Sequence, residues 1–402
     1  MSLISLDQAK ALLLGDLPAL ASERVLLDEL LGRTLAAPLV AAHTQPAEPR
    51  ATMDGIAVPD ADPAVGARWR LMGDTPAGAG AAAALRTGHA IRIATGAVAP
   101  VGAARVLPQE ILKFSENEVI LNSDPGESPF LRRPGADFEE GECLLERGVK
   151  IGPAELGLVA AANCASASAI REPKIAVCTA GDELVAPGSA LLPGRSIDSA
   201  SHAIAALIRR WGGVPQLFSL LPDDIEPIVS TLAAAAEEND VVVCIGGASV
   251  GARDLMRPAA RAIEARLLFE GIAVQPGKPC WHARLWKEKL ILGLPGNPSS
   301  ALVCAHLLLL PLIERLMGRA GEQCFRPSYV TTGLPANGSR EQYLRAAASF
   351  DGETRLLATP LGDQDSGLQA NLARAQLLIR RPARAGPLEA GAEVDVLELT
   401  RN

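Results

Sequence analysis

Five apolar residues in a row, Val241 to Ile245, run directly into Gly246-Gly-Ala-Ser-Val-Gly251 and then to Asp254. An unbroken apolar run suits a strand covered by helices on both faces of a parallel sheet better than a half-exposed antiparallel strand. The loop behind it carries Gly246, Gly247 and Gly251. Lacking a Cβ, these residues let the backbone take φ > 0 and approach a ligand, while successive amides converge on an anion. Asp254 stands where a helix N-cap belongs, and the helix dipole adds positive character there, which suits a phosphate or other oxyanion. A plain Gly-rich turn with Asp254 capping its own helix satisfies the same pattern. The loops around it carry the argument further.

On either side of this strand the pattern alternates. Strands are expected at residues 175–178, 214–220, 267–273 and 290–292, and helices at 199–211, 225–238, 254–265 and 299–316. Alternation of this kind implies right-handed βαβ units and one parallel sheet, with the ligand site beyond the carboxyl ends of the strands. Before it, Ser5 and Gln8 form a capping box for a helix over residues 6–14, a second short helix is expected at 28–31, and residues 151–162 read as helical. Between them, short strand-like pieces at 69–72, 90–93, 105–107 and 119–121, broken by Gly and Pro, make a small β-rich domain. After Gly318 the helices stop, and strands at 329–333, 343–347, 356–361, 377–380 and 393–397 read as a second β domain.

Composition narrows the partners. The chain has 402 residues, 48% of them hydrophobic, enough for several cores. With 38 basic against 46 acidic residues it has no basic stripe for nucleic acid or an anionic membrane, and 3% aromatic content offers no stacking platform for bases. Seven cysteines without a Cys-x-x-Cys pair read as buried thiols in a reducing cytoplasm. Five scattered histidines make no metal cluster, so a metal would be held by oxygen. No signal-peptide pattern opens the chain, and the apolar stretch 301–313, with His306 and Pro311 inside it, reads as a core helix.

The loops after the strands share one chemistry. Asp182 and Glu183 follow the first strand of the α/β region, Asp198 precedes the next helix, and Asp254 follows the Gly loop. Four carboxylates on one rim repel unless a cation or proton sits among them, which suits Mg²⁺ beside a phosphate. Pro276-Gly-Lys278-Pro and Pro295-Gly-Asn297-Pro298 are Pro-flanked turns on the same rim, the first presenting an ammonium to phosphate. In the first β domain, Asp54 and Thr95 each precede a glycine, and Arg132-Arg133-Pro-Gly-Ala-Asp137 places two guanidinium groups beside a turn. There is no G-x-S-x-G elbow and no Walker lysine motif, so hydrolase and kinase families lack support.

Taken in order, these motifs resemble the molybdopterin molybdenumtransferase family, the MoeA type shared with the gephyrin E domain. The resemblance runs from Met53-Asp54-Gly55 through residues 92–100 (RIATGAVAP), Gln109-Glu110, 132–137, 181–184 (GDEL), 246–251 with Asp254, 276–279 and 294–298, to 340–345 and Ser366-Gly367. It implies a multidomain α/β plus β chain with a doubly wound, parallel-sheet molybdopterin-binding domain at its centre. In that scheme residues 1–40 and 135–170 form an elongated N-terminal and linker domain, and 41–134 an inserted β-rich domain. Residues 171–318 form the molybdopterin-binding domain and 319–402 a C-terminal β-barrel.

The implied reaction inserts molybdate into adenylylated molybdopterin and releases AMP with Mg²⁺ in a cytoplasmic homodimer, with contact to the molybdopterin adenylyltransferase possible. Carried onto this sequence, Glu183, Asp198, Asp254, Asp54 and Thr95 are catalytic, the last two reaching across the dimer. Asp198, Asp254 and Glu183 hold the metal. Gly246, Gly247, Ser249, Gly251, Lys278, Pro295, Asn297, Pro298, Arg132, Asp137 and Ser366 bind substrate. The chain departs from the family pattern at Gln275, where Lys or Arg usually precedes Pro-Gly-Lys-Pro, and at Ile56, Ala200, Leu255 and Ala104. A divergent pterin- or nucleotide-binding paralogue without turnover is the alternative from a different class, and a nucleotide-processing CinA-type enzyme sharing only the α/β domain is a further one.

Overall fold

The computed structural model describes residues 3–78, 84–246, 255–286, 289–321, 323–352 and 354–399. The chain forms two compact units, one of Met1–Arg24, Gly32–Ala36 and Ser168–Asn402, the other of Val25–Leu31 and Ala37–Ala167.

The first unit begins with α1, Leu6–Leu14, where the Ser5 hydroxyl accepts from the Gln8 amide and the Gln8 side chain accepts from the Ser5 amide. Leu6, Ala9 and Leu13 recur at helical spacing, and all three are buried. The α/β region follows as β1 (Lys174–Ala180), α2 (Ala200–Arg210), β2 (Val214–Leu221), α3 (Ile225–Glu238), β3 (Val241–Ile245), α4 (Met256–Ala262), β4 (Arg266–Glu270), β5 (Trp281–Arg284), β6 (Leu290–Leu294) and α5 (Pro298–Leu316). All five residues of β3 are buried, as a strand covered on both faces requires. The sheet order is β2-β1-β3-β6-β5-β4. Strands β2, β1, β3 and β6 are parallel, and β5 runs antiparallel to both β6 and β4. Strand β5 is the element that the alternation did not predict: four residues containing His282 and Arg284 show no apolar run, and only their position beside β6 makes them sheet.

Helix α5 is continuous over Pro298–Leu316, with a π-helical stretch at Ala305–Leu309 just before Pro311. That widened turn is where the ladder accommodates the N–H that proline lacks. The helix has the length and apolar composition to cross a membrane, and it lies buried in the protein core, as the sequence led us to expect.

The C-terminal strands close into a barrel. Glu341–Phe350 pairs with both Leu356–Pro360 and Leu377–Arg381, while Arg326–Val330 pairs with Leu356–Pro360 and Glu393–Glu398. The pairing of Leu377–Arg381 with Glu393–Glu398 completes the ring. The two-residue strand Val274–Gln275 leaves the α/β region to run parallel to Glu341 and Gln342, so the barrel and the sheet share backbone hydrogen bonding. They also share a core, because Tyr343, Leu378 and Leu397 pack into the same buried cluster as Leu6, Leu13 and Leu307. One short helix, Gln369–Arg374, interrupts the barrel where none was expected. It buries no side chain, so no apolar periodicity marked it.

The second unit contains a six-stranded sheet ordered Arg105–Pro108, Gly55–Val58, His89–Ile93, Arg68–Thr75, Glu118–Leu121 and Leu112–Phe114. Among the described residues, its one parallel pair joins Arg68–Thr75 to His89–Ile93. Ile56, Trp69, Leu107 and Val119 form its core. Pro153–Ala161 is helical, as expected, whereas the expected helix at 28–31 is a single 3-10 turn, Leu27–Glu29. A run this short lacks the hydrogen bonds to stabilise a helix by itself.

Candidate functional site

The carboxyl ends of β1, β3 and β6 lead into one cleft of about 1720 Å³ that is also walled by the barrel. It gathers eight of the residues singled out from sequence: Glu183, Asp198, Gly246, Lys278, Pro295, Asn297, Pro298 and Ser366. Gly247, Ser249, Gly251 and Asp254 lie outside the described residues.

Behind β1 the chain turns through Gly181, whose φ of 154° lies where L side chains rarely go. A Cβ at Gly181 would lie 2.8 Å from Glu183 Oε2, so the glycine leaves room for the Glu183 carboxylate. The Ser196 amide donates to Glu183 O at 2.7 Å and the Asp198 amide to Val185 O at 2.9 Å, which fixes both acid-bearing segments side by side. Asp198 is buried, its Oδ2 accepting from Ser201 Oγ at 2.6 Å and its Oδ1 from the Ser201 amide at 3.2 Å. It therefore satisfies the start of α2, and its carboxylate still has lone pairs to offer the cleft. Glu183 by contrast is exposed. Asp182 is used differently, accepting from the Asp223 amide at 3.1 Å. Among the described residues no three His, Cys, Asp or Glu side chains gather as a metal-binding group.

After β3, Gly246 has a φ of 88°, and its Cα would be 3.2 Å from a Cβ on Gly296, so the two loops touch through their backbones. Lys278 is exposed in a loop tied down by hydrogen bonds from the Ile272 amide to Lys278 O and from the Cys280 amide to Gly277 O, each at 3.0 Å. Asn297 and Ser366, drawn from the sheet and the barrel, meet directly: Asn297 Nδ2 donates to Ser366 Oγ at 2.7 Å. Two further links hold the barrel segment in place, from Ser299 Oγ to Leu368 O at 3.0 Å and from Gln369 Nε2 to Ser199 Oγ.

The cleft also contains residues that the sequence did not assign a role. Arg340 Nη2 donates to Gln275 Oε1 at 3.1 Å, which places a guanidinium beside the neutral side chain. Arg257 and Glu270 line it as well, 3.6 Å apart, with Arg261 on Glu270 at 2.8 Å. No sequence spacing links these residues, since only the pairing of Val274–Gln275 with the barrel strand brings Arg340 to Gln275.

The remaining predicted residues belong to the second unit. Asp54 Oδ1 accepts from the Thr95 amide at 2.7 Å and from Thr95 Oγ1 at 2.9 Å. The amide first, then the hydroxyl, holds the Asp54 carboxyl below the usual carboxylate range. Arg132 and Asp137 line a separate pocket of about 410 Å³. Of the departures, Ile56 and Ala200 are buried and Gln275 is exposed in the cleft.

A β-rich N-terminal region, a largely parallel α/β sheet with a Gly-walled cleft and a closed C-terminal barrel define a multidomain protein of the MoeA architecture. The models of that architecture match in order: the MoeA N-terminal region (domain I and II) over residues 4–163, a probable molybdopterin binding domain over 176–315, and the MoeA C-terminal region (domain IV) over 328–399. A molybdopterin molybdenumtransferase from Nostoc is 30% identical over 381 residues, covering 92% of this chain and 86% of that protein. One from Haemophilus influenzae is 29% identical, with 98% of each chain covered. The crystal structure of the molybdopterin biosynthesis MoeA protein from Pyrococcus horikosii superposes with a TM-score of 0.83 at 28% identity, covering 100% of both chains. The chain belongs to the molybdopterin molybdenumtransferase family. The matches on both sides of the α/β domain set aside a CinA-type reading that rests on that domain alone.

Proposed function

We propose that this protein inserts molybdate into adenylylated molybdopterin and releases AMP, a transferase step in molybdenum cofactor biosynthesis. The observation that carries the reading is the cleft itself, which brings Lys278, Gly246 and the Asn297–Ser366 pair to the same space as Glu183 and Asp198. Lys278 meets the phosphate charge of the substrate and of departing AMP, while Asn297 and Ser366 hold the substrate's polar groups by hydrogen bonds. Glu183 faces the reacting centre as the exposed acid, and Asp198 is fixed in place by Ser201. Substrate-bound molybdate is cargo, and Arg340 with Lys278 supplies positive charge to an oxyanion in the cleft.

The oxygen donors fit Mg²⁺, which binds through one or two carboxylates plus substrate phosphates and water. Glu183 and Asp198 would hold it, together with Asp254 from outside the described residues. When bound, it neutralises phosphate charge. Asp54 and Thr95 complete the site across a homodimer, and the adenylyltransferase that makes the substrate is the natural partner for its handover. A second reading, pterin binding without turnover, is favoured by the neutral Gln275 in the cleft.

The two readings separate when AMP release from adenylylated molybdopterin is measured with and without molybdate and Mg²⁺, following active cofactor in parallel. Release that needs both establishes the transferase. Binding without release establishes the second reading.

A further inference from the structure

The turn that presents Lys278 to the cleft rests on two buried thiols. Its three successive carbonyls are all held from below. The Cys280 amide donates to Gly277 O and the Ile272 amide to Lys278 O, each at 3.0 Å, while Cys304 Sγ donates to Pro276 O at 3.7 Å. The two amide bonds are closed within residues 272–280, whereas the thiol comes from α5, a separate element. A Cβ on Gly277 would lie 2.8 Å from Cys304 Sγ, so the turn also touches the sulfur directly.

Counting protons gives the pair a direction. A thiol has one proton, and that of Cys304 goes to Pro276 O, because a carbonyl can only accept. The hydrogen bond between Cys280 and Cys304 is then donated by Cys280. Both side chains are fully buried. Burial first, and the Cys304 hydrogen bond after it, push the Cys280 thiol well above its ordinary value, so it keeps the proton it donates.

Cys304 stands seven residues after Asn297, two turns further along the same face of α5. Asn297 opens that helix and donates to Ser366 Oγ, and Ser300 between them also lines the cleft. One helix therefore holds both the Asn297–Ser366 pair and the turn of Lys278, across roughly 10 Å of its length.

We propose that Cys304, oriented by Cys280, is a positioning residue that sets the reach of the Lys278 ammonium relative to Asn297. The inference rests on the reading of Lys278 as a phosphate-binding group. A thiol is a weak donor, so its loss displaces the turn and leaves the fold in place.

The test titrates the full-length protein with AMP by calorimetry at low and high salt. Cys304→Ala should weaken AMP about threefold or more, the scale of one hydrogen bond between uncharged groups. It should also flatten the salt dependence of binding, as losing contact with an ammonium does. The same substitution in a Lys278→Ala background should change neither quantity, because the turn then carries no cation to misplace. Cys304→Ser keeps a donor at that position and should bind AMP more tightly than Cys304→Ala. Cys280→Ala should cost less than Cys304→Ala, and nothing further when added to it. An equal loss in the parent and in the Lys278→Ala background would overturn the positioning role by giving Cys304 a merely structural one. Cys304→Ala that binds AMP as the parent does, while Lys278→Ala does not, would overturn it as well and leave the reading of Lys278 intact. AMP affinity untouched by Lys278→Ala would overturn that reading and this inference with it.

Discussion

At the scale of single residues, the site depends on where charge is left available. Lys278 is exposed and held by the backbone bonds of its own loop, so its ammonium can be removed without disturbing the fold. Lys278→Ala should weaken the binding of a phosphate-bearing substrate by about tenfold or more while leaving the melting temperature unchanged. Calorimetric titration with the adenylylated pterin checks this, and an unaltered affinity would remove Lys278 from the site. Asp54 is governed by Thr95, whose amide and hydroxyl both donate to one oxygen. A carboxyl held below its unfolded value contributes stability at pH above the ordinary carboxylate range, and that contribution is lost as pH falls through the lowered value. Thr95→Val removes the hydroxyl and should raise the Asp54 pKa towards normal. Carboxyl carbon NMR across a pH titration reads it directly, and a pKa that stays where it was would mean the amide alone sets it.

At the scale of elements, the strands that carry the cleft loops are tied at the end opposite the cleft. Arg171 donates twice to Asp240, at 2.7 Å each, and the Lys174 amide adds a third bond at 2.9 Å, joining the start of β1 to the turn before β3. Burial by itself pushes the Asp240 pKa up, yet the Arg171 and Lys174 bonds outweigh it and leave the carboxyl lowered. Asp240→Asn should therefore cost about 2 kcal/mol at neutral pH, the scale of hydrogen bonds to a charged group. The sign follows from the lowered pKa: the difference between variant and parent should shrink as pH drops below the carboxylate range. Urea unfolding at neutral and acid pH measures it. A gap that stays constant with pH would show that the charge of Asp240 is not what stabilises the junction.

At the scale of the whole molecule, the barrel is more than an appended domain. Tyr343, Leu378 and Leu397 belong to the core that also holds α1 and one face of the sheet, and the cleft has barrel residues in its wall. Removing three such side chains costs about 2–5 kcal/mol each, comparable in total to the roughly 5–15 kcal/mol that separates a folded domain from its unfolded state. A chain ending at residue 318 should lose cooperative melting of its α/β domain. Calorimetry of the shortened chain decides it, and a sharp transition at the parental temperature would show the barrel to be energetically separate.

Sequence by itself determined what depends on local pattern. The capping box at Ser5, the bounds of Ile225–Glu238 and Val241–Ile245, and the order of α/β and β regions were legible because helix and strand periods and cap chemistry act over a few residues. Glu183, Asp198, Lys278 and Asn297 were singled out in the loops after the strands and Ser366 by the family resemblance, and all five line the cleft. Tertiary structure alone decided what depends on register between distant segments. It made Trp281–Arg284 an antiparallel strand, set Arg340 against Gln275, joined Asn297 to Ser366 across the wall of the cleft, and put Arg132 opposite Arg50. No spacing in the chain encodes those meetings, because each is fixed by how strands pair and cores pack over tens of residues or more.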